Sequence, residues 1–175
     1  MPEKARPNLS EIKMLIMDVD GVLTDGTIII NADGSESKQF NIQDGHGVKM
    51  WHRSGLKTAI LSGRSSQATI ARAQQLGIEH VLEGCKQKLP AFETLLGEVG
   101  LTAAEVAYIG DDLLDLPLVK RSGLGVAVAD AVSELKQAAD LVTAAGGGGG
   151  AVRELIEYIL KSTGKWQSLV ERYLV

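Results

Sequence analysis

Short apolar runs alternate with segments of helical spacing along most of this chain, and that alternation leaves few folds open. The apolar runs fall at 12–18, 57–61, 80–82, 106–109, 124–128 and 141–142. Helical spacing fills 47–54, 66–76, 88–99, 113–122 and 132–138, with a last helix at about 151–162. Strands that alternate with helices predict an α/β fold with a mainly parallel central sheet flanked by helices. Such sheets bind ligands beyond the carboxyl ends of their strands. The residues that follow each run are therefore the ones to examine.

The first run ends most abruptly, in Met17-Asp18-Val19-Asp20-Gly21. Two carboxylates this close repel unless a cation or a proton holds them together. The glycine lets the backbone turn sharply and approach a ligand. An arrangement so costly to keep for structure alone reads as a site.

The 175 residues suit a single domain over 1–175 with one sizeable core. Apolar content of 45% and charged content of 23% are ordinary for a soluble globular protein. A net charge of −4 gives no general affinity for nucleic acid. An anionic substrate then needs locally placed Lys and Arg. Cys85 is the only cysteine, so no intrachain disulfide is possible, which fits a reducing compartment. The opening residues 1–7 lead to no signal-peptide core, and no apolar run approaches the roughly 18 residues of a membrane span. The expected location is the cytoplasm.

Three segments stand outside the alternation. Residues 27–30 and 36–40 flank Asn31-Ala32-Asp33-Gly34, a β-hairpin signature with Asp-Gly at the turn. This hairpin, about 27–40, is a surface ornament, a cover for the site or a pairing surface for another subunit. Ile28 to Ile30 are awkward to leave in water. Gly146 to Gly150 precede a helix and read either as a flexible linker or as a loop offering N–H groups to an anion. The tail, about 163–175, has helical spacing and docks on its own domain or on a neighbour's.

Four strand ends carry polar groups that fit together. After the first come Asp18 and Asp20; after the second Ser62, Gly63 and Arg64; after the third Lys86 and Lys88; after the fourth Asp111, Asp112 and Asp115. Each has a bland reading alone. Ser-Gly-Arg is a common strand-to-helix turn, Gly-Asp-Asp an ordinary helix cap, and the lysines a solvated surface. Together they are the parts of a phosphoryl-transfer site. A carboxylate nucleophile forms an aspartyl phosphate. Mg²⁺, which favours one or two carboxylates, relieves the repulsion between that nucleophile and a phosphate dianion. A hydroxyl and an ammonium stabilise the transferring oxygens, and a second acid protonates the leaving alkoxide.

In these motifs the chain resembles the haloacid dehalogenase (HAD) superfamily, in Asp18-Val19-Asp20-Gly21-Val22-Leu23-Thr24, Ser62, Lys88 and Gly110-Asp111-Asp112-Leu113-Leu114-Asp115. The resemblance implies a Rossmann-like HAD fold with the protruding β-hairpin in place of a cap domain. It implies Asp18 as nucleophile and Mg²⁺ ligand. Asp20 becomes the general acid/base, with its backbone carbonyl on the metal. Ser62 and Lys88 would bind the phosphoryl group, Asp111 would complete the metal ligands, and Asp112 and Asp115 would orient the loop. Dehalogenases lack an acid at the position of Asp20, and P-type ATPases carry Thr there, so the acid points to phosphatase chemistry.

More locally the chain resembles the 3-deoxy-D-manno-octulosonate 8-phosphate (KDO 8-phosphate) phosphatases. The stretches that carry this are 18–26, Phe40-Asn41-Ile42-Gln43-Asp44-Gly45-His46-Gly47, Gly63-Arg64, 84–88, 106–115, 127–131 and 150–154. The resemblance implies hydrolysis of a sugar acid phosphate in lipopolysaccharide precursor synthesis. It also implies a homotetramer whose hairpins meet at the centre, with a neighbouring subunit capping the site. Positions matching the family's substrate site are Asp20, Asn41, Ile42, Gln43, Asp44, Gly45, Lys49, Gly63, Arg64, Arg72 and Lys88. Two positions depart from the family pattern: Gly149 stands where an arginine is common, and Cys85 where a polar residue is usual. Phosphatases of nonulosonate 9-phosphates, the sialic acid type, share most of these motifs and are the alternative.

Two readings from other classes compete. A signalling receiver domain also uses a phosphorylated Asp, but places it after the third strand, where this chain has Val81-Leu82-Glu83-Gly84. A catalytically dead scaffold is opposed by the intact set of Asp18, Asp20, Ser62, Lys88 and Asp111.

Overall fold

A computed structural model describes residues 7–174. The reading of the opening residues, save Pro7, and the last residue of the tail lie outside the described residues. The strands are β1 (Met14–Met17), β2 (Ile29–Ile30), β3 (Glu36–Ser37), β4 (Lys57–Leu61), β5 (His80–Leu82), β6 (Val106–Gly110), β7 (Leu124–Ala127) and β8 (Leu141–Val142). The helices are α1 (Ile42–Arg53), α2 (Gln67–Leu76), α3 (Lys88–Val99), α4 (Leu116–Arg121), α5 (Ser133–Ala138), α6 (Ala151–Ser162) and α7 (Trp166–Glu171).

Six strands form one sheet in the order β5-β4-β1-β6-β7-β8, and every pairing in it is parallel. The strands β1, β6 and β7 are buried at every position, which explains their unbroken apolar runs: helices cover both faces. On one face α1 packs on α6 and α2; on the other α4 packs on α3 and α5. From β1 the chain moves to β4 and β5 on one side, then crosses back to β6, β7 and β8 on the other. The winding reverses at β1, so the crevice for a ligand opens at its carboxyl end. Register sharpens this, because Met17 lies beside both Ile60 and Ile109. The loops after β1, β4 and β6 therefore leave the sheet at one level.

Three expected elements differ in extent or character. Helix α1 begins at Ile42 rather than at 47, because the Asn41 side chain accepts hydrogen bonds from the N–H groups of Gln43 and Asp44 and caps it. The hairpin forms, with Gly34 at φ +82° in its turn, but each strand is only two residues long. Ile28, Ile29 and Ile30 are exposed, Ile30 to 74%.

The glycine run is a packed loop rather than a free linker, and the anion that one of its N–H groups meets is a carboxylate of the chain itself. Gly147 N–H donates to Asp130 Oδ1 and Gly148 N–H to Val22 O, both at 2.9 Å. A side chain at Gly147 would collide with the carbonyl of Gly21, so these glycines serve close packing against the loop after β1. The tail docks on its own chain. Arg153 and Lys161 lie over the Trp166 ring, and Tyr173 OH meets Arg53 at 2.7 Å and His46 Nε2 at 2.8 Å. Among the described residues no helix is long and apolar enough to cross a membrane.

Candidate active site

The loop after β1 is a compact turn. Val19 O accepts from the N–H groups of Val22, Leu23 and Thr24, and Thr24 Oγ1 accepts from Gly26 N–H. Gly21 has φ +83°, and any side chain there would overlap the Asp111 carboxylate. Glycine is what allows the loops after β1 and β6 to meet.

Asp18 emerges from β1 nearly buried. Its Oδ1 accepts the Val19 N–H at 2.7 Å, and its Oδ2 lies 2.6 Å from Lys88 Nζ. Lys88 begins α3 and is itself buried. Its ammonium also reaches Asp115 Oδ1 at 2.6 Å. Burial works against the charge on Lys88, but Asp18 and Asp115 outweigh it and hold the amine above its usual range. Ser62 follows β4. Its N–H donates to Leu82 O and its carbonyl accepts from Cys85 N–H, which ties the loops after β4 and β5 together.

Carboxylate oxygens of Asp18, Asp111 and Asp115 lie within 4.8 Å of one another. Burial, then the Asp115 charge, pushes the Asp18 carboxyl up to about 6. Burial, then the charges of Asp115 and Asp18, pushes Asp111 up to about 7. One lysine does not neutralise this group. Asp115 has no capacity left, since Oδ1 takes Lys88 and Tyr108 OH while Oδ2 takes the N–H groups of Asp111 and Asp112. That leaves Asp18 and Asp111 with oxygens open to a ligand. Hard oxygen donors with excess negative charge fit a hard divalent cation such as Mg²⁺.

A cleft of about 220 Å³ above this group is lined by Asp18, Asp20, Gly26, Ser62, Gly63, Arg64, Lys88, Asp111, Asp112 and Leu114. It brings together the four expected catalytic residues, Asp18, Asp20, Ser62 and Lys88, and Asp111 with them. Asp112 caps the turn at Leu113–Asp115, accepting the Leu113 N–H, and Asp115 holds that loop from inside.

Other expected substrate residues stand elsewhere in the chain. Asn41 caps α1 and donates to Gly148 O at 3.2 Å. Ile42 and Gln43 face outward. Asp44 is buried and accepts the Arg153 N–H at 2.7 Å, so it serves the first turn of α6. Gly45 packs under Arg72, whose guanidinium binds Asn41 O at 3.1 Å and lies over Phe40. Lys49 approaches Gly77 at the end of α2. These residues do not line the cleft of their own chain.

Two residues of the site escaped the sequence reading. Tyr108 looks like core because it sits in an unbroken apolar strand; the available signal is that a buried tyrosine hydroxyl needs a polar partner. Lys38 looks like a solvated residue at a hairpin's edge, yet it is buried and ion-paired with Asp20 Oδ1. Nothing local in the sequence signals that contact.

Comparison with known proteins agrees with this geometry. A profile of haloacid dehalogenase-like hydrolases matches residues 81–155. The chain is 45% identical over 154 residues to the 3-deoxy-D-manno-octulosonate 8-phosphate phosphatase KdsC of Escherichia coli K12, covering 88% of this chain and 82% of the relative. A crystal structure of the phosphatase of that name from Moraxella catarrhalis, in complex with magnesium, phosphate and KDO, superposes with a TM-score of 0.92. It is 41% identical and covers 94% of this chain and 95% of its own. The cobalt-bound enzyme of Haemophilus influenzae gives a TM-score of 0.87 at 43% identity, covering 90% of this chain and 92% of its own.

Proposed function

The chain belongs to the haloacid dehalogenase-like hydrolases, in the family of the KDO 8-phosphate phosphatases, and on that premise we propose that it is a Mg²⁺-dependent phosphatase that hydrolyses KDO 8-phosphate to KDO and phosphate. The observation that carries this reading is the convergence of Asp18, Asp20, Ser62, Lys88 and Asp111 on one cleft at the winding reversal of the sheet.

In this mechanism the Asp18 carboxylate attacks phosphorus in line and the bond to the sugar oxygen breaks. Asp20 gives its proton to that departing oxygen. Asp20, now a carboxylate, then takes a proton from the water that attacks the aspartyl phosphate, and phosphate leaves with Asp18 restored. Lys88 and Ser62 hold the oxygens of the transferring group. Asp18, Asp111 and the backbone carbonyl of Asp20 would hold Mg²⁺, whose charge would offset the repulsion between carboxylate and phosphate dianion.

A cleft of about 220 Å³ accepts a phosphoryl group and its nearest atoms. It is smaller than the roughly 300–1,000 Å³ that encloses a drug-sized ligand. A cover from a second copy supplies the difference, and the exposed Ile28–Ile30 edge is the surface for assembly into a homotetramer. We assign Asn41–Gly45, Lys49 and Arg72 to the sugar end of the substrate through that assembly, with Gly63 and Arg64 at the cleft itself. The enzyme acts in the cytoplasm as one domain over 1–175.

A nonulosonate 9-phosphate is the second reading, favoured by one observation. Gly149, where the family commonly has arginine, is exposed, with only Gly146 O near at 3.1 Å from where a side chain would begin. No left-handed φ demands glycine there, so the missing arginine bears on the substrate. Turnover by Asp18→Asn and Asp20→Asn tests the mechanism. Each is expected to lose at least about a hundredfold in kcat, and full turnover by either contradicts it.

A further inference from the structure

Lys38 follows β3 on a hairpin whose isoleucines face solvent, yet its side chain is only 2% exposed. A lysine buried this deeply needs a carboxylate partner. Its ammonium pairs with Asp20 Oδ1 and lies 3.7 Å from Glu36 Oε2. Glu36 Oε1 pairs with the Arg64 guanidinium, whose Nε lies 3.6 Å from Asp20 Oδ2. Two cations and two carboxylates thus alternate in a closed ring that joins the hairpin to the loops after β1 and β4.

The two oxygens of Asp20 are unequal in this ring. Oδ1 is held by Lys38, while Oδ2 is buried without a hydrogen-bond partner. Three other buried side-chain atoms lack partners among the described residues, on Asp44, Ser66 and Ser122, and none of these residues lines the cleft. Even beside the Arg64 guanidinium, a buried oxygen that no hydrogen bond satisfies is costly, so its presence on a residue that lines the cleft calls for a task.

We infer that Lys38 is a positioning residue for proton transfer: it pins Asp20 Oδ1, so that Oδ2 carries the proton to the leaving oxygen and takes it back from water. The inference rests on the phosphatase chemistry proposed above. The end torsion of an aspartate is broad and two-fold, so its oxygens exchange unless one is fixed. Fixing one removes orientational freedom before the reaction begins, which is where well-placed groups gain rate. Because Lys38 and Glu36 belong to the hairpin, docking of the hairpin and readiness of Asp20 become one event.

Leaving-group dependence tests this. KDO 8-phosphate releases an alkoxide that needs a proton, whereas 4-nitrophenyl phosphate releases a stable phenolate that needs little. The quantity to read is kcat/KM with Mg²⁺ for both esters, because it reports the first chemical step. Lys38→Met should lower the value for the sugar ester at least about tenfold more than for the aryl ester, a share of the 10²–10⁴-fold general acid factor. Lys38→Arg, which keeps the charge, should recover most of that ratio. Should Lys38→Met not fold, Glu36→Gln reads the same ratio, with a smaller change of the same sign. Equal losses on both esters, or an unchanged ratio, would overturn the inference and leave Lys38 as a fastener of the hairpin. A wild-type protein that turns over neither ester would instead remove the phosphatase reading, and the inference with it.

Discussion

Tyr108 sets its hydroxyl 2.6 Å from Asp115 Oδ1, and both side chains are completely buried. Burial and the Asp115 charge hold the Tyr108 phenol well above its usual range, so it stays a donor. Asp115 shares that oxygen with Lys88 and gives its other oxygen to the backbone of Asp111 and Asp112. One buried carboxylate therefore fixes the ammonium on one side of the cleft and the metal-site loop on the other. Tyr108→Phe removes a hydrogen bond to a buried charge. The expected loss is about 1–3 kcal/mol of stability in urea unfolding. As Lys88 is drawn toward Asp115, kcat should fall by up to about tenfold.

Protons and Mg²⁺ compete for the same oxygens. In the metal-free protein Asp18 is raised to about 6 and Asp111 to about 7, both chiefly by burial. These values lie above the unfolded ones, so between about pH 4 and 7 the folded chain holds more protons than the unfolded chain. The contribution of these two groups to stability is thus full below pH 4 and is lost as pH rises through 7. Mg²⁺ binds the ionised pair and restores stability where the proton no longer does. At a hundredfold excess over Kd it should add about 2.7 kcal/mol at pH 8, or about 5–10 °C in Tm, and much less at pH 5. Thermal unfolding with Mg²⁺ and with chelator at both pH values reads this. Equal stabilisation at the two pH values would contradict it.

Gly147 and Gly149 are neighbours in sequence but not in constraint. A side chain at 147 meets the backbone of Gly21 and Thr24, starting at 1.9 Å, whereas one at 149 meets the backbone of Gly146, with its O nearest at 3.1 Å. Gly147→Ala should cost about 1–3 kcal/mol or more through overpacking. Gly149→Ala should stay within about 0.5 kcal/mol. Denaturant midpoints of the two variants decide it, and equal values would mean that the run is a linker after all.

Replacing Ile28 and Ile30 with aspartate puts charge on the edge proposed for assembly. Sedimentation should move from tetramer to monomer, with KM for the sugar phosphate raised and the fold intact by circular dichroism. A wild type that sediments as a monomer removes this part of the account.

The sheet was legible because β1, β6 and β7 are buried on both faces and so read as unbroken apolar runs. The strand-end rule then placed Asp18, Ser62, Lys88 and Asp111 together without coordinates. Legibility failed where the deciding contact is distant in sequence. Asn41 reads as a loop residue until its side chain is seen capping α1, and Asp44 until it meets the start of α6. Five glycines look flexible, although at Gly147 and Gly148 the lack of a side chain is what admits the loop after β1. Lys38 is 18 residues from Asp20, and only the folded hairpin closes that gap.

The central claim is phosphate release from a sugar acid phosphate, and one assay addresses it most directly. With Mg²⁺, kcat/KM is measured for KDO 8-phosphate, a nonulosonate 9-phosphate and hexose 6-phosphates. The account predicts that KDO 8-phosphate leads the hexose phosphates by more than about tenfold, or about 1.4 kcal/mol in transition-state binding. Chelation should abolish turnover of every ester. A hexose phosphate preferred by the same margin, or turnover that survives chelation, would contradict it.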